Sequence, residues 1–420
     1  MREPHILGVH DPNTLEQLNE VNKFAMKTAL MADGHRGYGM PIGGVGAFDN
    51  KVSPAYVGYD IGCGNNAVLL DMMGSDLDAE LVADLITKNL VFGAGGVNNH
   101  PRAPNSHPLF DDDRWDIFPD NHRGKLHKKA REQIGTIGAG NHYVDVFIDE
   151  LDRVWVGAHF GSRRFGYDIC SNFLALIVGS EWGEQVKKEQ VGTGLVSLTD
   201  PIGRDYWTAM TLAGEYAQIG RKWVVDLVAK LLGAKVLDHV YNHHNYAWVE
   251  HLWMEDTLTP MPCVVIRKGA TGARPGQRGF VGGSMCDVSV ILQGTPFPKS
   301  PEYTHEMSKD EKEDSLAIFS RQQQTLFSAV HGAGRVMGRM QALGKPNKAE
   351  GGWKREPKVT QDMMDRSVAE AGIVLRGGDR DESPQVYRRL SDVLAAQGDT
   401  IQVLHTLTPK VVCMAPKGGR

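Results

Sequence analysis

Apolar positions set the first expectations. Leu15, Leu18, Val21, Phe24 and Ala25 recur at helical spacing, which predicts an amphipathic helix over residues 14–31. Residues 32–46, A-D-G-H-R-G-Y-G-M-P-I-G-G-V-G, are too glycine-rich for a regular element. A strand over 66–73 and a helix over 76–90 come next, then a long loop over 93–123 rich in Gly, Asn, Pro and Asp. β-formers over 142–148 and 153–160 flank D-E-L-D, a hairpin signal. Helices are expected over 164–179 and 205–232, the second carrying Trp207, Leu212, Trp223, Val225 and Leu227. Short strands are expected near 236–241, 246–254 and 264–267, with glycine turn and strand mixed over 280–292. Residues 300–325 include E-M-S-K-D-E-K-E-D-S, a charged, solvent-facing helical insertion. A helix directly after a glycine loop is expected over 334–343, and a terminal strand or pair of strands over 401–414. No internal repeat and no clear linker occur. The pattern predicts one large mixed α/β (α+β) domain over 1–420, central β-sheets flanked by helices, with 1–31 as its N-terminal helical region.

Composition narrows the classes. Of 420 residues, 41% are hydrophobic and 23% charged, ordinary for a soluble globular chain. A net charge of −5, from 46 basic and 51 acidic residues, excludes an overall basic coat but permits a local basic groove. The densest basic cluster, R-G-K-L-H-K-K-A-R over 123–131, reads as a solvated helix face. Five cysteines without C-x-x-C spacing argue against a disulfide framework or a zinc ribbon and for a reducing compartment. No apolar run reaches the ~18 residues of a membrane span, and the N-terminus lacks a signal-like apolar region. The expectation is a soluble, cytoplasmic protein with no membrane partner.

The chemistry begins in residues 56–66, Y-V-G-Y-D-I-G-C-G-N-N, where Asp60 and Cys63 stand among Gly58, Gly62 and Gly64. A carboxylate and a thiolate so placed can share a pocket and hold a cation, although a lone cysteine is more often a small buried hydrophobe. A four-residue turn at 149–152 would pair Ile148 with Arg153 and set His142 opposite His159, their imidazoles in one pocket. A slip of one residue would separate them. In Y-N-H-H-N-Y over 241–246, His243 and His244 point to opposite sides, so one of them joins a given site. Asp60, Cys63, His142, His159 and His244 together could supply a two-metal site with a bridging thiolate, suited to phosphoryl chemistry. Three glycine loops, at 135–142, 279–285 and 331–335, expose backbone N–H groups of the kind that bind phosphate. The last, H-G-A-G-R, sets His331 at a loop-to-helix junction with Arg335 four residues on, able to clamp a phosphate. His331 there can serve as acid, base or nucleophile, or be an ordinary residue at a helix cap. No G-x-x-x-x-G-K-[ST] loop and no K-x-D-G lysine occur, so His331 is the available nucleophile for nucleotide transfer.

Ordered motifs then carry a resemblance. D-G-H-R-G-Y-G-M-P-I-G-G-V, V-G-Y-D-I-G-C-G, G-T-I-G-A-G-N-H-Y, H-F-G-S-R, H-H-N-Y, R-K-G-A-T-G-A-R-P-G-Q, G-G-S-M, H-G-A-G-R-V-M-G-R and D-E-S-P-Q-V-Y follow one another from about 32 to 417. The chain resembles the RtcB-type RNA-splicing ligases. That resemblance implies a GTP-dependent enzyme joining an RNA 3′-phosphate or 2′,3′-cyclic phosphate to a 5′-hydroxyl, with the cyclic phosphate opened first. It implies guanylylation of His331 and two manganese ions on Asp60, Cys63, His142, His159 and His244, Cys63 bridging. Guanylate contacts map to Asn141, Asp145, Asn245, Gly283, Ser284, Met285, Ser289, the backbone of Gly332, Ala333 and Gly334, and Lys417. Arg163 and Arg335 match arginines for RNA or nucleotide phosphates, and an archease-like activator is an implied partner. The chain departs from the family in five places, one being a charged helix over 300–325 longer than usual. Asp145 stands where Glu is usual, G-G-S-M replaces P-G-S-M, M-A-D-G-H replaces M-P-D-V-H, and Ala415 and Pro416 precede Lys417. Two other readings are a metal-dependent RNA phosphatase or cyclic phosphodiesterase, which has no need of His331, and a non-catalytic RNA end-binding protein.

Overall fold

The computed structural model describes residues 3–254, 259–297, 308–346 and 353–418. Its first helix, Pro12–Asn22, starts where Asp11 accepts hydrogen bonds from the Asn13 and Thr14 amides, and it buries Leu18 and Val21. It stops nine residues short of the expected end. Residues Lys27–His35 form instead a strand, buried along almost its whole length, so the apolar run K-T-A-L-M-A is a two-sided core strand rather than a helix face. The glycine-rich stretch after it is also more regular than expected, because Ile42–Phe48 pairs antiparallel with Lys27–His35. Small residues suit strands enclosed on both faces. These two belong to a five-stranded sheet ordered His5–Ile6, Lys27–His35, Ile42–Phe48, Met261–Lys268, Asn245–Leu252.

A larger, eight-stranded sheet carries most of the site. Its main path runs Arg278–Val281, Ser289–Gly294, Ile401–Met414, Tyr143–Ile148, Arg153–Phe160, Gly64–Met73, Val236–His243. Period-two alternation divides its core. Val68, Leu70, Val144, Val146, Val154 and Val156 pack under Val224, Val225 and Val228 of the long helix Pro201–Leu231 and under Val82 and Ile86 of Ala79–Asn89. Ala67, Leu69, Phe147, Trp155, Phe280, Ile291 and Leu407 fill the other face. The architecture is mixed α+β, as the pattern predicts.

Three local expectations need correction. The hairpin register is one residue off: Ile148 pairs with Val154, and Tyr143, not His142, stands opposite His159. Asp149 causes this by accepting from the Leu151 and Arg153 amides, which lengthens the turn. The segment 334–343 is helical only over Arg339–Leu343, because Gly334 turns the backbone left-handed at φ +73°. His331 therefore follows the short strand Ser328–Val330 and does not cap a helix. The charged segment forms a helix over Lys309–Gln324, started by a Ser308–Glu311 capping box and largely exposed; its expected first residues, 300–307, lie outside the described residues. Among the described residues no helix is long and apolar enough to cross a membrane.

Candidate active site

Sheet register brings the ligand candidates to one edge. Gly64 pairs with Phe160 on one side and His243 on the other, while Tyr143 pairs with His159. Cys63, His142, His159 and His244 thus lie at the same end of four neighbouring strands, and Asp60 sits on the loop just before Cys63. The Cys63 Sγ is 3.7 Å from Nε2 of both His142 and His159. Nε2 of His142 is 3.1 Å from Asp60 Oδ2, and the His159 and His244 rings stack at 5.0 Å. Two triplets result, Asp60–Cys63–His142 and Cys63–His159–His244, each with ligand atoms within 4.8 Å of one another. Cys63 belongs to both, the arrangement a bridging thiolate requires. His243 turns away as expected and contacts the Gly62 carbonyl and Arg221.

Neighbours fix the imidazoles. Nδ1 of His159 lies 2.6 Å from Asn65 Oδ1, and Nδ1 of His142 lies 3.0 Å from the Ile137 carbonyl. A proton on Nδ1 of His159 satisfies Asn65 and leaves its Nε2 lone pair facing Cys63, the tautomer a metal ligand needs. Burial drives His159 and His244 well below the ordinary histidine pKa, so both rings are neutral. Burial also pushes the Cys63 thiol up, helped by the adjacent Asp60. Asp60 is pushed up by burial too, but the hydrogen bond and charge of His142, with Arg163 behind it, hold it down to about 2. The buried Nδ1 of His244 has no hydrogen-bond partner among the described residues. A carboxylate, a shared thiol, neutral imidazoles and an unsatisfied ring nitrogen fit cations, which would deprotonate the thiol outright.

His331 adjoins this cluster, its ring 4.9 Å from that of His244. Its Nδ1 lies 2.5 Å from Oδ2 of the fully buried Asp33. The same oxygen accepts the His331 and Gly332 amides at 3.1 and 3.3 Å. Asp33 therefore holds the proton on Nδ1 and leaves the Nε2 lone pair free.

A cavity of about 690 Å³ joins the two groups. Asn141, Asp145, Asn245, Gly283, Ser284, Met285, Gly332, Ala333, Gly334 and Arg335 all line it with His331 and the ligand cluster. Asp145 is buried, its carboxyl is pushed far up by that burial, and its Oδ1 has no partner among the described residues. Asn245 ties the wall together, its Oδ1 accepting from the Gly269 amide and its Nδ2 reaching the Asp60 carbonyl.

Four expected contacts stand differently. Ser289 does not line the cavity; it is buried behind the wall, its Oγ accepting from the Gly283 amide at 3.1 Å. Lys417 is exposed and does not line the cavity. Arg335 reaches the cavity, but Glu382, the Tyr387 hydroxyl and the Asp381 carbonyl already engage its guanidinium. Arg163 lies behind His142, with Nη1 3.1 Å from its Nδ1, and it faces a second cavity instead. Arg163 is left-handed at φ +59°, and its guanidinium rests where a Cβ on Gly138 would be, 1.9 Å away.

The pattern reading overlooked Asp33, Asn65 and Arg221. A lone acid inside the buried run of Lys27–His35 was the signal for Asp33, and the polar pair after Cys63 the signal for Asn65. Arg221 is fully buried inside the long helix and donates to the Gly62 and Phe160 carbonyls, anchoring the ligand loop.

With this geometry in view, comparison with known proteins is direct. The family described as tRNA-splicing ligase RtcB matches residues 14–305. The chain belongs to the RtcB family. Among its RtcB relatives, the RNA-splicing ligase RtcB of Escherichia coli K12 is 27% identical, covering 92% of this chain and 89% of the relative. The tRNA-splicing ligase RtcB of Pyrobaculum aerophilum is 27% identical over 87% of this chain and 83% of its own length. That of Thermococcus kodakarensis is 26% identical over 93% and 86%. The family match ends before His331, whereas the three relatives, which cover 87–93% of the chain, align across it.

Proposed function

We propose that this chain, acting as one ligase domain, joins RNA 3′-phosphate or 2′,3′-cyclic phosphate ends to 5′-hydroxyl ends, with guanylate from GTP carried on His331. The observation that carries the reading is the buried Asp33–His331 pair set against the His244 edge of a two-triplet ligand cluster. A hydrolase that attacks with metal-activated water has no need of such a nucleophile.

In this reading Nε2 of His331 attacks the α-phosphorus of GTP and pyrophosphate leaves. Asp33 keeps Nδ1 protonated and neutralises the positive charge that grows on the ring. An oxygen of the RNA 3′-phosphate then takes the guanylyl group and frees His331. The 5′-hydroxyl oxygen next attacks the activated 3′-phosphorus, losing its proton, and GMP leaves. The Gly332 and Gly283 segments border the phosphates, while Oδ1 of the buried Asp145 carboxyl faces the purine edge. Asp60, Cys63, His142, His159 and His244 would hold two manganese ions, which supply charge neutralisation at the phosphates and lower the barrier to displacement. Donor softness alone would favour zinc at such a site, so manganese rests on the family resemblance. All five cysteines are free, which agrees with action in the cytoplasm. An archease-like activator is a proposed partner.

The test is incubation with α-³²P-GTP and Mn²⁺, followed by denaturing electrophoresis. A labelled band that is acid-labile, alkali-stable and absent from His331→Ala is expected. No label with either GTP or ATP in metal-loaded protein would refute the assignment.

A further inference from the structure

A second cavity, also about 690 Å³, lies beyond His142. Lys125, Lys129, Arg163, Arg164, Tyr167 and Trp182 line it, against one lining carboxylate, Asp168, which Arg164 binds at 2.7 Å. Lys129 is paired with Glu132 at 2.7 Å, whereas Lys125 is exposed. The basic cluster expected to be a solvated helix face thus turns part of itself into a cavity wall: Leu126 and Ala130 of the helix Asp120–Gln133 are buried, and Lys125 and Lys129 flank the opening.

An aromatic ladder connects this cavity with the ligand cluster. Tyr38 meets Tyr59 at 5.2 Å, Tyr59 stacks on Tyr167 at 5.2 Å and 27°, and the Arg164 guanidinium lies 5.0 Å over the Tyr167 ring. Tyr59 directly precedes Asp60, and Arg163 contacts His142, so ladder and cavity both abut the Asp60–Cys63–His142 triplet. Cationic side chains interleaved with partly exposed rings are the surface that single-stranded nucleic acid uses, phosphates on the cations and bases on the rings. The cavity volume is that of a small-molecule site, suited to the end of a single strand.

Sidedness selects the strand. His331, the guanylate carrier, stands at the His244 end of the cluster. In-line displacement brings the attacking oxygen in opposite the leaving one. We infer that the cavity of Lys125, Lys129, Arg164, Tyr167 and Trp182 binds the RNA strand that bears the 5′-hydroxyl, Tyr167 stacking a base and the lysines holding phosphates. This rests on the ligase reading for the identity of the strand.

The experiment measures binding without turnover. Mn²⁺-loaded protein is titrated into a 3′-fluorescein RNA oligomer with a 5′-hydroxyl, and separately into a 5′-fluorescein oligomer with a 3′-phosphate, and anisotropy is read. Tyr167→Ala should weaken the 5′-hydroxyl strand about tenfold, the loss of one base stack. Lys125→Ala/Lys129→Ala should lower the slope of log affinity against log salt by about 0.7 per lost phosphate contact. The affinity ratio of the two strands should fall in both variants, with thermal melting confirming the fold. Equal weakening of both strands, an effect on the 3′-phosphate strand alone, or wild-type affinities would each overturn the inference. Wild-type labelling by GTP separates the two ideas. Strand selectivity that depends on Tyr167 in a protein that takes no label supports the cavity and sinks the ligase; label and joining with unchanged variant affinities do the reverse.

Discussion

Replacing Asp33 with Asn tests the core of the mechanism. The substitution keeps size and buries no new charge, and the amide oxygen still accepts the His331 and Gly332 amides that Asp33 Oδ2 now holds at 3.1 and 3.3 Å. What it removes is the negative charge 2.5 Å from Nδ1. When Nε2 bonds to phosphorus the ring becomes cationic, and its charge centre lies about 4 Å from that of the carboxylate, worth about 4 kcal/mol at an effective dielectric of 20. At 1.36 kcal/mol per decade this predicts a loss of roughly 10³ in the rate of guanylylation. A comparable loss of about 10⁴ follows when the orienting acid of a Ser-His-Asp triad becomes an amide. The assay is single-turnover labelling with α-³²P-GTP at saturating Mn²⁺, with metal content and melting temperature measured alongside. A labelling rate within threefold of wild type, in folded and metal-loaded protein, would show that Asp33 does not act through His331.

Two other outcomes are expected. Cys63→Ala should lose both ions, because the thiol belongs to both triplets; elemental analysis reads this directly, and retention of one ion would remove the bridging role. Glu250 accepts from Arg267 and Arg274, with Arg267 almost wholly buried. Burial raises its pKa, but the two arginines outweigh this and hold it below the usual range. Its contribution is therefore complete above the unfolded-state value of about 4.3 and is lost as pH falls through the lower folded value. Glu250→Gln should cost about 3 kcal/mol at pH 7, and the gap in melting temperature from wild type should begin to narrow near the unfolded-state value of about 4.3 and close as pH falls through the lower folded value. A gap independent of pH would refute the ionic assignment.

The residues that carry the ligand cluster were legible because each sits in a short motif whose chemistry survives without a structure. The histidine pair was reached through a register that proved one residue off, and both rings nevertheless meet Cys63. His142 gets there from just outside the strand, where the Ile137 carbonyl holds it, rather than by facing His159 directly. Periodicity failed over Lys27–His35, where a strand buried on both sides offers no alternation to read, and the same burial hid Asp33. The second cavity was illegible for a different reason. Its lysines, Tyr167 and Trp182 come from distant stretches, and a basic helix gives no local sign of which cations face a wall.

His244 occupies the single residue between the strand Val236–His243 of the large sheet and Asn245–Leu252 of the smaller one. Cys63, His142 and His159 lie at the end of the large sheet, whereas Asp33, which orients His331, belongs to the other. The spacing between His331 and the ligand cluster consequently depends on the angle between two sheets. Ions held by His244 from the large-sheet side would act as a rivet through that joint. Loading metal would then fix an alignment as well as supply charge, and amides around His243–Asn245 should exchange faster in metal-free protein.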